Sequence, residues 1–111
     1  MLYLLDSWTD VDGRRAALAG LMPGHAAMHR RLANLGMHSV LLPEGAMRGH
    51  TFHYSQADIA LEPLVYSEPA RAKRRAEPVF RRGRLQASYL HLYFPSNPEA
   101  TARLFAPSPL P

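Results

Sequence analysis

The chain has no cysteine among its 111 residues, which excludes disulfides, thiolate metal sites and a cysteine nucleophile supplied from within it. It has no run of ~18 apolar residues and no basic stretch leading into an apolar one at its start. Neither a helical membrane span nor a secretory signal is therefore expected, and the expected compartment is the cytoplasm. Glycine-rich phosphate loops, HExxH frames and GxSxG elbows are missing, as are internal repeats and low-complexity tracts. What remains is ordinary for a small globular domain: 47% of residues are apolar, and a chain of this size buries roughly two-thirds of its unfolded surface.

Thirteen basic residues against nine acidic ones give a net charge of +4, a balance that raises the question of a nucleic-acid partner. The densest run, Arg71 to Arg84 (RAKRRAEPVFRRGR), reads as a solvated connector passing through Pro78 into a short strand and a turn at Gly83. It carries no interleaved aromatics of the kind that stack on bases, so no nucleic acid is expected.

The first residues, MLYLLDSWTD, place Leu2, Leu4, Leu5 and Trp8 partly on one helical face, with a turn at Asp12 and Gly13, and predict a helix. No N-cap residue precedes it, so it reads as a helix whose front is cut away. Between Leu18 and Gly36 the period is compatible with helix or strand. Met37 to Gly45 and AMRGHTFHYSQADIAL each read as a strand. In the second, Met47, Gly49, Thr51 and His53 alternate with Arg48, His50, Phe52 and Tyr54. Further extended runs follow in EPLVYSE and in EPVFRRGRLQASYLHLYF, the last two joined as a hairpin at Arg82 and Gly83. The clearest helix signal is SNPEATARLF, with Asn97 as N-cap, Pro98 at the first helical position, Glu99 in the first turn, and Ala102, Leu104 and Phe105 available for packing. Two or three helices and about six strands result, an α/β or α+β mixture, followed by a proline-broken tail expected to be flexible over 107–111.

Six histidines do not make a metal site by spacing. His25 and His29 are four apart but next to a Pro-Gly turn, and His50 and His53 fall on opposite faces of a strand; no metal is expected. His91 stands out, at the end of an apolar strand before a helix, where open α/β sheets place their ligands. Imidazole there suits a general base. Ser88 and Ser96 are near in sequence, but neither sits in a nucleophile elbow.

Three segments in order, GLMPGHAAMHRRLANLG, RGHTFHYS and ASYLHLYFPSNPEATARLF, resemble the C-terminal part of the glutamine amidotransferase domain of the cobyrinic and hydrogenobyrinic acid a,c-diamide synthase family, over Met1 to about Phe105. The resemblance implies a class I glutamine amidotransferase-like α/β fold, a flavodoxin-like three-layer sandwich, with residues 1–106 a partial domain lacking its N-terminal part. It implies that His91 is the catalytic histidine that activates a cysteine lying upstream of Met1, and that this chain alone is inactive. It implies a strand RGHTFHYS lining the glutamine pocket, with His53 the better candidate for facing it and His50 and Tyr54 beside it. Glutamine and a corrinoid are the implied substrates of the full-length enzyme, with ATP and magnesium as its cofactors, and a homodimer is compatible. Where many class I amidotransferases carry a glutamate two residues after the histidine, this sequence has Tyr93. A non-catalytic remnant or small binding module of the same fold is the alternative that the missing thiol suggests.

Overall fold

A computed structural model describes residues 1–107; of the tail expected over 107–111, residues 108–111 lie outside the described part. The elements are a 3-10 turn (Leu2–Leu4) and eleven strands: β1 Ser7–Thr9, β2 Arg15–Ala17, β3 Gly24–Met28, β4 Asn34–Leu42, β5 Gly45–His53, β6 Ser55–Ile59, β7 Val65–Tyr66, β8 Glu68–Pro69, β9 Pro78–Arg82, β10 Leu85–Ser88 and β11 His91–Tyr93. A second 3-10 turn (Phe94–Ser96) and helix α1 (Pro98–Phe105) follow. This is an α/β chain with one mixed sheet, two antiparallel sheets and a C-terminal helix.

The strands form three sheets, ordered β2-β1-β3-β6, β10-β9-β7 and β11-β5-β4-β8. All strand pairs recorded among the described residues are antiparallel except β1 with β3. The hairpin β9–β10 is the wedge between the other two sheets. Side chains of adjacent strand residues point to opposite faces. Accordingly, Val79 joins a core with Val40, Leu42, Met47, Leu90 and Ala100, while the neighbouring Phe80 joins a second core with Leu5, Met22, Ala26 and Ala87. A strand buried on both faces reads as an unbroken apolar pair, and here that pair is Val79–Phe80. The hairpin turn expected at Gly83 is present, with Gly83 at φ +59, a conformation that glycine adopts without a Cβ penalty.

Several expectations change. MLYLLDSWTD is not a helix: only Leu2–Leu4 form a 3-10 turn, and Ser7–Thr9 pair with β2 and β3. Sheet pairing on both sides outweighs a helical period that only four residues supported. The open segment resolves into β3 and the start of β4. AMRGHTFHYSQADIAL is two strands, because the chain breaks at Tyr54 and crosses from the β5 sheet to the β3 sheet. EPLVYSE is likewise two short strands in different sheets. With these divisions the count rises from about six strands to eleven, and among the described residues there is one α-helix. That helix starts as read: Asn97 Oδ1 accepts from the Ala100 amide at 3.0 Å, and Pro98 opens the first turn. It packs on the Val79 core through Ala100, fully buried, and Leu104, half-buried, whereas Ala102 and Phe105 are exposed. Phe105 meets Phe94 edge-on at 5.5 Å instead.

Candidate active site

Strand β5 organises both loci at which chemistry is conceivable, one on each of its faces. Its burial alternates as read from the sequence, with Met47, Gly49 and Thr51 buried and Arg48, His50 and Phe52 exposed. His53 ends the inward set, half-buried.

On the inward face a carboxylate that sequence reading missed is the hub. Glu77, just before β9, is 3% exposed, although the run containing it reads as a solvated connector. Its Oε1 accepts from Asn34 Nδ2 at 2.6 Å and Thr51 Oγ1 at 3.0 Å, and pairs with His53 Nε2 at 2.6 Å. Its amide donates to Ser67 Oγ at 2.7 Å. Burial pushes the Glu77 carboxyl up, but hydrogen bonds from His53 and Asn34, the charge of His53 and the Thr51 bond outweigh it, and the net direction is down. It is a carboxylate with its donors built around it.

His53 is held on all sides. Its Nδ1 donates to the Ser55 carbonyl at 2.8 Å, its ring lies 3.7 Å from that of Tyr89 at an interplanar angle of 9°, and Tyr89 Oη bonds Ser55 Oγ at 2.7 Å. Burial raises the Tyr89 phenol, opposed by the Ser55 bond and reinforced by the Glu77 charge. With both ring nitrogens engaged, His53 has none free to act as a base in this arrangement. Deeper in, His38 Nδ1 and Ser67 Oγ share a hydrogen bond of 2.7 Å. Burial lowers its pKa, against the charge of Glu77 and with that of His50. Beside this network lies a cavity of about 250 Å³ lined by His53, Glu77, Asn34, Arg75 and Tyr89. A larger cleft of about 680 Å³, between the β9–β10 hairpin and α1, is lined by Arg81, Arg84, Arg103, Leu90 and Leu92.

His91 lines neither. SYLHLYF is not one strand: the chain breaks at Tyr89 and Leu90, and His91 opens β11, antiparallel to β5. Its register partner is His50, and His50 in turn faces Met37 on β4. Residues directly opposite in a sheet share a face, so Met37, His50 and His91 form one row across the exposed side, with Ser39, Arg48 and Tyr93 as the next row. Among the described residues neither the His50 nor the His91 ring makes a hydrogen bond. Both nearby serines are occupied: Ser88 Oγ donates to the Pro78 carbonyl at 2.8 Å and accepts from the Leu90 amide, and Ser96 Oγ accepts from the Arg48 amide. Glu99 is exposed in the first turn of α1.

The structure therefore brings His91 and His50 together and sets His53 on the other side of β5. Tyr54, just past the strand, is exposed and meets Phe52 edge-on at 5.6 Å. His25 is engaged at both nitrogens by Ser7 and Thr9. Among the described residues no three His, Asp or Glu side chains converge as a metal site. No helix of the described residues is long and apolar enough to cross a membrane. The signal for Glu77 was slight: a single acid in a basic run, immediately before a Pro-Val-Phe strand.

Comparison with known proteins bears out the resemblance. The chain is 54% identical over 108 residues, 97% of its length, to a hydrogenobyrinate a,c-diamide synthase of Pseudomonas aeruginosa. It is 52% identical over 96% of its length to the protein of that name in Stutzerimonas stutzeri, and 41% identical over 96% to a cobyrinate a,c-diamide synthase of Herminiimonas arsenicoxydans. The matches take up 25%, 25% and 24% of those proteins, so the chain spans about a quarter of the length of the curated relatives it matches. No family model matches it.

Proposed function

We propose that this chain is the segment of a corrinoid a,c-diamide synthase that carries the histidine of its glutaminase site, within a class I glutamine amidotransferase-like fold. The observation that carries the reading is the placement of His91: an exposed imidazole with no hydrogen-bond partner among the described residues, on an open sheet face, in a chain matched at 54% identity across nearly its whole length. An imidazole so placed is free to take a proton from an approaching thiol and to return it to a leaving amine.

In that reaction His91 accepts the thiol proton as sulfur attacks the glutamine side-chain carbonyl carbon. It then donates the proton as the carbon–nitrogen bond breaks and ammonia leaves. Water adds to the thioester and releases glutamate and the thiol. The ammonia amidates the a and c carboxylates of the corrinoid elsewhere in the synthase, where ATP and magnesium supply the activation. The network of Glu77, His53 and Tyr89 holds β5 on the face opposite His91. Identities of 54% and 52% to hydrogenobyrinate synthases against 41% to a cobyrinate synthase favour the hydrogenobyrinate-type substrate.

The test is a segment exchange. Replacing the matching quarter of the Pseudomonas aeruginosa synthase with this chain is expected to leave glutamine-dependent amidation intact, and the isolated chain is expected to release no glutamate from glutamine. A folded exchange protein without glutaminase activity contradicts the proposal. A non-catalytic binding module is the second reading, favoured by the absence of cysteine from all 111 residues.

A further inference from the structure

We infer that His50 positions His91, one imidazole holding the next across the β5–β11 ladder. The inference rests on the glutaminase reading and adds to it the group that fixes the ring.

A general base on an open sheet face needs its ring oriented, or proton transfer loses its geometry. The neighbours of His91 on that face follow from the register. Directly across lies His50, diagonally Arg48 and Phe52, and along β11 Tyr93. Directly opposed residues have Cβ atoms about 4.5–5.5 Å apart, whereas diagonal neighbours stand about 7–8 Å away. Phe52 cannot hydrogen-bond, Arg48 only donates and stands at the diagonal distance, and Tyr93 stands opposite Arg48 across the ladder. His50 is the near neighbour that can donate or accept. On its other side His50 faces Met37, a thioether that competes weakly for a hydrogen bond.

The backbone under this pair is tightly set. A Cβ on Gly49 would lie 2.7 Å from the His91 carbonyl oxygen and 2.9 Å from Leu90 Cγ, so β11 approaches β5 as closely as it does because residue 49 has no side chain. The Arg48 amide donates to Ser96 Oγ at 3.0 Å, tying β5 to the turn that follows β11. Both Cα positions are thus fixed by the ladder, and the two exposed side chains stand opposite each other on one face.

Neutral imidazole has one donor and one acceptor nitrogen. When one nitrogen of His91 donates to His50, the tautomer is set and the second His91 nitrogen keeps its lone pair for the thiol proton. Once His91 holds that proton, its bond to His50 becomes charge-assisted and stronger. The proton stays on His91 until the leaving nitrogen takes it, and His50 is unchanged at the end of the cycle.

The tautomer is directly readable in long-range 1H–15N spectra of the 111-residue chain in alkaline buffer, where imidazole is neutral. One His91 tautomer should dominate in the unmodified chain, His50→Ala should mix the two, and His50→Gln should restore part of the preference. A mixed His91 ring in the unmodified chain, or one indifferent to His50→Ala, overturns the inference. In the exchanged synthase, His50→Ala should lower kcat for glutamine hydrolysis at least about tenfold with KM for glutamine little changed, and His50→Gln should recover part of it. If His91→Ala abolishes hydrolysis while His50→Ala is silent, this inference falls and the glutaminase reading stands. If His91→Ala is silent, the glutaminase reading falls.

Discussion

His53 Nε2 lies 2.6 Å from Glu77 Oε1, with the two side chains 14% and 4% exposed. The contact ties the segment before β9 to the end of β5, and through Asn34 and Thr51 the same carboxylate oxygen reaches β4 and the middle of β5. The central wedge and the sheet bearing His91 are thus joined by one buried acceptor, opposite the face on which His91 and His50 stand.

Removing that acceptor leaves several buried donors unpaired. Glu77→Ala should cost about 3–5 kcal/mol of unfolding free energy, the range for breaking one side of a buried ion pair. Glu77→Gln, which keeps an acceptor oxygen, should cost less. Urea unfolding followed by circular dichroism measures both; equal stability of all three chains contradicts the network's role.

Tyr89→Phe separates the stack from the hydroxyl. The ring remains on His53 while the bond to Ser55 Oγ is lost, so the cost should be about 1 kcal/mol, that of one hydrogen bond. Tyr89→Ala, which also removes the stack, should cost clearly more in the same urea experiment.

Stability should decline at both ends of the pH scale. His38 is held below its ordinary value of 6.5, so as pH falls below about 6.5 the unfolded chain takes up a proton that the folded one refuses, and stability drops. Glu77 lies below the ordinary carboxylate range. Its contribution is present above that range and is lost as pH falls through its folded value. Tyr89 lies above its ordinary value, so its contribution is present below about pH 10 and is lost as pH rises through the folded value. Melting temperature against pH should show a plateau between about 6.5 and 10, and Glu77→Gln should flatten the most acidic limb.

Gly49→Ala should displace β11. With the new Cβ 2.7 Å from a backbone oxygen, the strand must move, at a cost of about 1–3 kcal/mol. The amide and ring resonances of His91 should shift more than those of β1 or β3, and an unchanged His91 spectrum contradicts the close approach.

Much of the frame was legible because it rests on local rules. The alternation of β5 separated Met47, Gly49 and Thr51 from Arg48, His50 and Phe52, though not which set is buried, and Asn97-Pro98 marked the helix start by its capping chemistry. The turn at Gly83 needed only its backbone freedom. What escaped reading depends on partners distant in sequence. Leu2, Leu4, Leu5 and Trp8 fit a helical face, but β1 is made by pairing with residues up to eighteen positions away. Glu77 sits in a run of arginines and is buried because Asn34, 43 positions earlier, Thr51 and His53 converge on it. The row joining His50 to His91 follows from a strand register that neither segment carries alone.

Asn97 serves two elements at once, capping α1 at the Ala100 amide and donating from Nδ2 to the Ala46 carbonyl at 2.8 Å. Asn97→Ala should therefore cost about 1–2 kcal/mol. Hydrogen exchange should quicken both in the first turn of α1 and at the start of β5; quickening in the helix alone contradicts the link between them.

The central claim, that this chain supplies the glutaminase base, is tested most directly by His91→Ala in the exchanged synthase, with glutamine and free ammonia compared as nitrogen donors. Loss of glutamine-dependent amidation by about 10²–10⁴-fold, the scale of a general acid–base group, with ammonia-dependent amidation retained, is the predicted result. Undiminished use of glutamine without His91 would contradict it.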